Sequence, residues 1–377
     1  MELSAAELIR YSRHLAMPEF DLQSQRQLKA ARVLVVGAGG LGAPLLLYLA
    51  AAGVGTLGIV DFDTVDVSNL QRQILYGVSD VGKLKVDCAR KRLLELNPHI
   101  DIKTYACALT TDNALELFQD YDIIADGTDN FPTRYLVNDA CVILGKVNVF
   151  ASIFRFEGQL SIFNAPLEHG ERGPNYRDIF PAPPPPGLVP NCAEGGVLGV
   201  LPGIMGSLQA NEIIKWITGI GKPLVGELLL LDVARFKSRT LKIPKQASTR
   251  ITELIDYEEF CAPSKHREAQ PLIRQLSPLE LAAWISSKKS FQLIDIREPY
   301  EFEIVQIGGR LIPKAALLDN PEQIDANLPA VLFCRSGKRS MEAIGLLQEA
   351  HGLGNLYNLE GGILAWIDSI NPSLQRY

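Results

Sequence analysis

A cluster of glycines near the N-terminus has the spacing of a phosphate-binding loop. The run Gly37-Ala38-Gly39-Gly40-Leu41-Gly42 follows a short apolar stretch and precedes a helical pattern. In such a run the first glycine turns the chain, the second admits a phosphate, and the last lets the helix pack on the strand. The helix N-terminus then favours negative charge. Asp61 ends the next apolar stretch, where a carboxylate accepts hydrogen bonds from ribose hydroxyls. These residues alone favour a dinucleotide-dependent oxidoreductase.

Polar residues downstream of the glycines favour a triphosphate instead. Arginine suits bidentate phosphate contacts, and lysine places a point charge on a phosphate. The candidates are two cations and two amides, namely Asn69, Arg72, Gln73 and Lys85. Asp129, in the run Asp126-Gly127-Thr128-Asp129-Asn130, stands at a predicted strand end and is a candidate magnesium ligand. The alternatives are that Arg72 and Lys85 are solvated surface residues and that Asp129 caps the helix that follows it.

A second group of reactive residues, Cys334-Arg335-Ser336-Gly337-Lys338-Arg339-Ser340, lies near the C-terminus. A glycine-bearing loop between a strand and a helix points backbone N–H groups inward as an anion-binding nest. The loop's two arginines and its lysine add full positive charges, so a thiolate or a persulfide anion on Cys334 would be stabilised. The alternatives are a buried, inert cysteine and a cysteine phosphatase. The phosphatase class requires arginine where this chain has Ser340, and the shorter spacing to Arg339 suits a persulfide better.

Alternating strand and helix patterns must position these residues. The alternation predicts an α/β fold, a Rossmann-like doubly wound sheet that is mainly parallel and gains antiparallel strands late in the chain. Predicted strands cover residues 32–36, 57–60, 100–105, 123–126, 147–150, 157–163 and 226–232. Predicted helices cover residues 4–30, 43–53, 83–96, 111–119, 132–144 and 199–219.

A change in composition after residue 245 predicts a second, smaller α/β domain. The expected boundaries are 1–245 for the first domain, 246–273 for a linker and 274–377 for the second domain. Ser277-Pro278 is a helix-start signal, with strands expected at 292–295 and 330–334 and a helix at 340–350. Prolines at 181–190 predict an extended loop that leads directly to Cys192.

Composition excludes several classes of protein. The 377 residues are 47% hydrophobic and 21% charged, as in ordinary globular proteins. A net charge of −6 disfavours a general nucleic-acid surface. We see no signal peptide and no apolar run long enough for a membrane span. The six cysteines include no CxxC pair, which favours reduced thiols and a cytoplasmic location.

The N-terminal motifs resemble those of the MoeB/ThiF adenylyltransferases, which are relatives of ubiquitin-activating enzymes. The match is carried by Arg10-Tyr11-Ser12-Arg13, the glycine run, Asp61-Phe62-Asp63, Asn69-Leu70-Gln71-Arg72-Gln73, Lys85 and the run ending at Asn130. The resemblance implies that ATP adenylates the C-terminal glycine of a ubiquitin-like sulfur-carrier protein. The nucleotide-binding residues that it implies are Gly37, Gly39, Gly40, Gly42, Asp61, Asp63, Asn69, Gln73, Lys85, Asp129 and Asn130.

The same resemblance implies further roles. Asp61 would hold ribose and Asp129 would hold Mg²⁺, while Arg72 would act on the phosphates. Arg13 would reach ATP across a homodimer interface. The stretch 191–200 also matches the family, so Cys192 is expected to attack the acyl-adenylate or relay sulfur, unless it is simply a free thiol on a loop.

One departure from this family concerns zinc. Such proteins usually carry two CxxC pairs, but this chain has Asn175-Tyr176-Arg177-Asp178 at the first place and no cysteine near 245–249 at the second. Asparagine and aspartate alone do not make a tetrahedral zinc site. We therefore expect no zinc, and the segment around residues 165–190 is then either mobile or tied by the proline run.

The C-terminal motifs resemble those of the rhodanese sulfurtransferases. The match is carried by residues 293–302, the Cys334 loop and residues 359–366, although residues 305–313 depart from the family pattern. The resemblance implies that a cysteine desulfurase loads Cys334 as a persulfide, whose sulfur then converts the adenylated carrier to a thiocarboxylate. Molybdopterin, thiamine and tRNA-thiolation pathways all use such activators. The alternatives are an NAD(P) oxidoreductase fused to a rhodanese and a scaffold that binds the carrier without catalysis.

Overall fold

A computed structural model describes residues 2–167, 170–184, 196–247, 250–261 and 273–377. The chain divides into two units, Met1–Ser264 and Lys265–Tyr377, and each is described by itself. Within the described residues, no helix is long and apolar enough to cross a membrane. Cys192, in the segment 185–195, lies outside the described residues.

The first unit is built on an eight-stranded sheet of order β3-β2-β1-β4-β5-β6-β7-β8. Its strands are β1 (Arg32–Val36), β2 (Thr56–Val60), β3 (Asp101–Tyr105), β4 (Ile123–Asp126), β5 (Val147–Phe154), β6 (Glu157–Phe163), β7 (Glu227–Asp232) and β8 (Lys237–Lys242). The pairs from β3 through β5 are parallel, and those from β5 to β8 are antiparallel. The predicted fold class is thereby confirmed for this unit.

Helices cover both faces of this sheet, and the described residues form three buried hydrophobic clusters in this unit. They are α1 (Ala5–Arg10), α2 (Ser12–Leu15), α3 (Leu22–Ala30), α4 (Gly42–Ala52), α5 (Lys85–Leu96), α6 (Ala114–Gln119), α7 (Phe131–Ile143), α8 (Val200–Thr218) and α9 (Tyr257–Cys261). The helix predicted over 4–30 is wrong as one element, since Pro18 disfavours helix before it and Asp21 caps a new helix. The strand β8 was not predicted, because its side chains are all exposed and show no apolar alternation.

Part of the predicted linker packs on the first unit. The helix α9 lies against α7, where the buried Tyr257 hydroxyl donates to the Asp139 carboxylate at 2.8 Å. The aromatic ring of Phe260 meets Tyr135 edge-on at 5.1 Å between centroids. Residues 250–261 therefore belong structurally to this unit.

The second unit has a five-stranded, wholly parallel sheet of order β11-β10-β12-β13-β9. Its strands are β9 (Arg274–Leu276), β10 (Gln292–Asp295), β11 (Arg310–Leu311), β12 (Ala330–Phe333) and β13 (Leu356–Leu359). Its helices are α10 (Pro278–Ser286), α11 (Pro299–Ile304), α12 (Lys314–Asp319), α13 (Lys338–His351) and α14 (Gly362–Ser369). Ser277 caps α10 with a reciprocal Glu280 contact, as the sequence predicted.

Candidate active sites

The glycine run connects β1 to α4 at the edge where parallel strands end. Val36, Val60 and Asp126 are register partners at the ends of β1, β2 and β4, so the loops after them meet. Gly37 has φ +92°, and a Cβ there would stand 2.9 Å from the Gly127 carbonyl oxygen. A side chain at Gly42 would collide with the Gly37 carbonyl. Glycine is therefore required at both positions by the close approach of backbone to backbone.

The middle of the run is open to a ligand. A Cβ on Gly39 would meet only the Gln73 amide nitrogen, at 3.7 Å, and one on Gly40 would meet Pro202 at 3.1 Å. Within the described chain, no side chain caps the N-terminus of α4. The Ala43 N–H already donates to the Gly39 carbonyl at 2.9 Å and Pro44 has no N–H, so an anion would be received by the N–H groups of the glycine run at this helix end.

Asp61 lies beside this loop. Its carboxylate accepts from the Ala38 N–H at 2.8 Å and from the Asp63 N–H at 2.9 Å. Burial raises the pKa of Asp61, while the Lys85 ammonium and these two N–H groups oppose the rise. Each oxygen keeps a lone pair, so the carboxylate can accept further hydrogen bonds from hydroxyl groups.

Lys85 is not a solvated surface residue. It is 4% exposed, at the start of α5, and its ammonium contacts the Asp63 carboxylate at 2.9 Å. A buried lysine with one exposed acidic partner can exchange that partner for a phosphate oxygen. The structure thus brings Lys85 together with Asp61 and Asp63.

The loop between β2 and α5 places its three predicted site residues differently. Gln73 is buried above Gly39, and its Oε1 has no partner in the described part of the chain. Arg72 is half-buried and donates to the Ser68 carbonyl at 3.2 Å. The Asn69 side chain accepts from the Asp66 N–H at 3.3 Å. The Gln73 amide nitrogen thus faces the glycine loop, whereas Asn69 serves partly as a local cap.

The loop after β4 separates a buried carboxylate from an exposed one. Asp126 is fully buried, and its Oδ1 accepts from the Thr128 N–H at 2.9 Å and the Thr128 hydroxyl at 2.6 Å. Burial raises the pKa of Asp126, and the charge of Arg134 opposes the rise. Asn130, and not Asp129, caps α7 by accepting from the Thr133 N–H at 2.9 Å. The exposed Asp129 carboxylate makes no hydrogen bond or ion pair with any described residue.

The sequence analysis did not identify Gln209 as part of this site. Its buried amide donates to the Asp126 carbonyl at 2.9 Å and to the Val149 carbonyl at 2.7 Å. It therefore fixes α8 to the strand ends from which the Asp129 loop departs. A glutamine inside a helix of apolar and small residues was the available signal.

The two N-terminal arginines have separate roles within one chain. Arg10 donates to the Leu96 carbonyl at 2.8 Å, at the C-terminus of α5. Arg13 is exposed, and among the described residues it has no hydrogen-bonding or ionic partner. They lie on different helices, α1 and α2, rather than on one continuous face.

A hydrogen-bonded cluster stands where zinc ligands were considered. Asp178 is 3% exposed, and its carboxylate accepts from the Gln246 N–H at 3.0 Å, the Asn175 N–H at 2.8 Å and the Asn175 amide at 3.0 Å. The Gln246 amide in turn donates to the Asp178 carbonyl at 2.9 Å. We call these three residues the polar clamp. It joins residues 175–178 to residue 246 without requiring a metal ion, and the described residues hold no cluster of metal-binding side chains.

Cys334 of the second unit follows β12 and is fully buried. The Ser340 hydroxyl lies 3.5 Å from the sulfur and 2.6 Å from the side-chain amide oxygen (Oδ1) of Asn358. The hydroxyl can therefore donate its proton to either atom. Gly337 has φ +85° and begins α13, while the Ile363 N–H donates to the Cys334 carbonyl at 2.9 Å. These contacts fix the loop, and the Cys334 sulfur is not accessible to solvent in this conformation.

The sequence predicts that the two arginines of the Cys334 loop act as free charges, but in the structure both of them have partners. Arg339 makes a bidentate ion pair with buried Glu301, at 2.7 and 2.6 Å. Arg335 donates to the Tyr377 main-chain oxygen at 2.8 and 2.5 Å. Lys338 is exposed and has no partner in the described portion. Arg297 is fully buried and makes an ion pair with the equally buried Asp295 at 2.6 Å.

Family models match both units. The ThiF family covers residues 11–251, and the rhodanese-like domain covers residues 277–369. The chain belongs to the ThiF family. In this ThiF-family protein the matched region holds the glycine run, Asp61, Lys85 and Asp129, and the rhodanese-like region holds Cys334.

Curated relatives match this ThiF-family protein along its whole length. A probable adenylyltransferase/sulfurtransferase MoeZ of Mycobacterium tuberculosis is 50% identical over 382 residues, 100% of this chain and 96% of the relative. The adenylyltransferase and sulfurtransferase MOCS3 of Sus scrofa is 40% identical over 409 residues, which cover 100% of this chain and 89% of the relative. The sulfur carrier protein adenylyltransferase of Thermus thermophilus is 51% identical over 268 residues, which cover 69% of this chain and 99% of the relative. The protein is an adenylyltransferase and a sulfurtransferase, as these relatives are named, and not the oxidoreductase considered as an alternative.

Solved structures share the fold of the ThiF-family unit. PaaA has a TM-score of 0.54 and 27% identity, covering 65% of this chain and 76% of its own. Escherichia coli MccB, solved with ATP, has a TM-score of 0.55 and 22% identity, covering 66% and 75%. The predicted fold and family are both confirmed.

Proposed function

We propose that this protein adenylates the C-terminal glycine of a ubiquitin-like sulfur-carrier protein with ATP and then converts that glycine to a thiocarboxylate. The supporting observation is the joint occurrence of two sites on one chain. One gathers an uncapped helix N-terminus, Asp61 and buried Lys85, and the other holds Cys334 on an anion-binding loop. The sulfur carrier protein named for the Thermus relative supports this choice of substrate.

The first site suits ATP as a substrate. The N–H groups at the start of α4 and the Gly39–Gly40 backbone would receive phosphates, and Asp61 would accept the ribose hydroxyls. Lys85 and Arg72 would neutralise the triphosphate, with Asn69 and Gln73 donating from the same loop. A carboxylate oxygen of the carrier then attacks the α-phosphorus, and pyrophosphate leaves.

Asp129 fits a magnesium site of the kind completed by phosphates. Mg²⁺ in such sites is held by one or two carboxylates and by substrate oxygens, so a larger cluster of protein ligands is unnecessary. The exposed Asp129 carboxylate meets that need, and Asn130 lies beside it as the cap of α7. The ion would neutralise phosphate charge.

Cys334 would supply the sulfur after a cysteine desulfurase has loaded it. The terminal sulfur of the Cys334 persulfide attacks the carbonyl carbon of the acyl-adenylate, AMP leaves, and an acyl persulfide forms. A second thiol, for which Cys192 is the candidate, attacks Cys334 and releases the thiocarboxylate as a disulfide forms. An external thiol then reduces that disulfide.

Three further assignments belong to the same proposal. Arg13, exposed and without a partner in the described chain, would act on ATP in a homodimer. The functional domains are 1–245 and 274–377, joined by 246–273. Molybdenum cofactor and thiamine biosynthesis are the pathways that the proposal favours, in the cytoplasm.

The experiment pairs two variants of the full chain with a ubiquitin-like carrier ending in Gly-Gly. Lys85→Met should strongly lower carrier-dependent ATP–pyrophosphate exchange, whereas Cys334→Ser should retain it at the wild-type rate and yield no thiocarboxylate by mass spectrometry of the carrier. The matched control is Lys91→Met, because Lys91 is an exposed lysine on the same helix. Exchange at the wild-type rate in Lys85→Met, or a thiocarboxylate made by Cys334→Ser, would contradict the proposal.

A further inference from the structure

The arginines flanking Cys334 are engaged by two residues outside the loop. Tyr377 receives two hydrogen bonds from Arg335, and its ring lies 5.3 Å from the Arg335 guanidinium carbon. Glu301 receives two hydrogen bonds from Arg339. Both arginines of the loop are therefore already engaged within the second unit, Arg339 by a carboxylate and Arg335 by a main-chain oxygen and a ring.

Tyr377 is itself held in place. Its hydroxyl accepts from Arg297 at 2.6 Å and lies 3.3 Å from a Glu301 oxygen, to which it can donate. Burial raises the pKa of Tyr377 to about 12, so the hydroxyl keeps its proton at neutral pH. The ring also packs against the apolar cluster around Leu359 and Trp366. Arg335 thus bonds to a fixed group.

Glu301 is equally fixed. It is 2% exposed, and the Glu298 N–H donates to its carboxylate at 3.0 Å. The bidentate geometry with Arg339 is the strongest common form of an arginine–carboxylate contact. Of the three cations in the loop, Lys338 alone is unpaired in the described region.

We propose that Tyr377 and Glu301 are specificity-determining residues that withhold Arg335 and Arg339 from small anionic sulfur donors. The proposal rests on the function proposed above for Cys334 as sulfur acceptor. It favours a thiol-bound persulfide over an inorganic dianion such as thiosulfate.

The chemistry explains why the arginines matter. With either donor, the Cys334 thiolate attacks the outer sulfur, the donor S–S bond breaks, and Cys334 becomes a persulfide anion. The bonding electron pair leaves on a thiolate with a persulfide donor and on sulfite, a dianion, with thiosulfate. Arrival of thiosulfate and departure of sulfite both need positive charge near the sulfur. Arg335, held by Tyr377, and Arg339, paired with Glu301, supply little of this positive charge to an anion at the sulfur.

The test compares two alkylating agents on the full chain. Iodoacetate is an anion and iodoacetamide is neutral, so the ratio of their rates at Cys334, read by peptide mass spectrometry, reports local charge. The ratio cancels changes in access, which is essential because the thiol is buried. Tyr377→Ala keeps the main-chain oxygen but removes the ring that packs on Arg335 and the hydroxyl that fixes this residue. Arg335 is then no longer held, and the iodoacetate-to-iodoacetamide ratio should rise about three- to fivefold, as expected for one newly available surface charge.

Three variants control the result. Tyr377→Phe keeps the ring contact with Arg335 and loses only the hydroxyl contacts, so its ratio should rise much less than that of Tyr377→Ala. Removing the cation as well, in Tyr377→Ala/Arg335→Gln, should cancel the rise. Glu301→Gln releases Arg339 and should raise the ratio independently, which keeps the proposal testable if Tyr377→Ala fails to fold. Sulfite release from thiosulfate should rise in parallel and vanish in Cys334→Ser.

An unchanged ratio in both Tyr377→Ala and Glu301→Gln would overturn the proposal. So would a rise that persists without Arg335 in the double variant. The alkylation ratio needs neither ATP nor carrier, so failure of adenylation leaves it intact. The two proposals can therefore fail separately.

Discussion

The polar clamp predicts a large local effect of a single substitution. Asp178→Ala removes the acceptor of three hydrogen bonds, two from Asn175 and one from the Gln246 N–H. A buried donor left unsatisfied costs about 1–3 kcal/mol, and more when its partner was charged. Because water can reach part of the vacated space, we expect a total loss of about 3–5 kcal/mol in the free energy of local opening.

Urea-dependent hydrogen exchange measures this effect, since peptides from residues 173–180 and 243–247 report opening of this region alone. Asp112 is exposed and has no partner in the described chain, so Asp112→Ala serves as the control and should change these peptides by less than about 0.5 kcal/mol. A chelator should leave the wild-type exchange unchanged, and elemental analysis should find no stoichiometric zinc. Unaltered exchange in Asp178→Ala, or protection that a chelator abolishes, would refute the clamp.

Three other predictions follow from the two sites. Lys85→Met leaves Asp63 without its cation and should lower kcat/KM for ATP about 10- to 100-fold in pyrophosphate exchange. Burial opposes ionisation of Glu301, but the Arg339 hydrogen bonds hold its pKa below the ordinary value of 4.5. The ion pair stabilises the fold fully above pH 4.5, and this stabilisation is lost as the pH falls below that value. In Glu301→Gln the free energy of unfolding should therefore decrease less steeply with falling pH, as measured by urea-dependent hydrogen exchange of residues 273–377. Ser340→Ala should slow alkylation of Cys334 at neutral pH, because a hydroxyl that can donate to the thiolate is lost; an unchanged rate would count against that role.

Much of the fold follows from local patterns in the sequence. The runs of apolar, β-branched residues in β1, β2 and β4 predict strands of a parallel sheet that is buried on both faces. Gly53, in the left-handed conformation, ends α4 where the sequence predicted a stop. The sequence predicts that Gly37 turns the chain and that Gly42 lets the helix pack on the strand, and the structure shows the close backbone contacts that require glycine at both positions.

Other features depend on contacts that local patterns do not contain. The strand β8 carries exposed polar side chains, and only its pairing with β7 makes it a strand. Asn130 rather than Asp129 caps α7, a one-residue difference that spacing does not settle. Arg335 and Arg339 looked like free charges because their partners, Tyr377 and Glu301, are distant in sequence.

The most direct test of the account follows labelled sulfur from one site to the product. Full-length protein carrying a ³⁵S persulfide on Cys334 is mixed with a Gly-Gly carrier in a single turnover, with and without ATP. The account predicts that label reaches the carrier's C-terminus only when ATP is present, and that Lys85→Met blocks this transfer. Transfer that is independent of ATP, or label that stays on Cys334 despite complete ATP–pyrophosphate exchange, would contradict it.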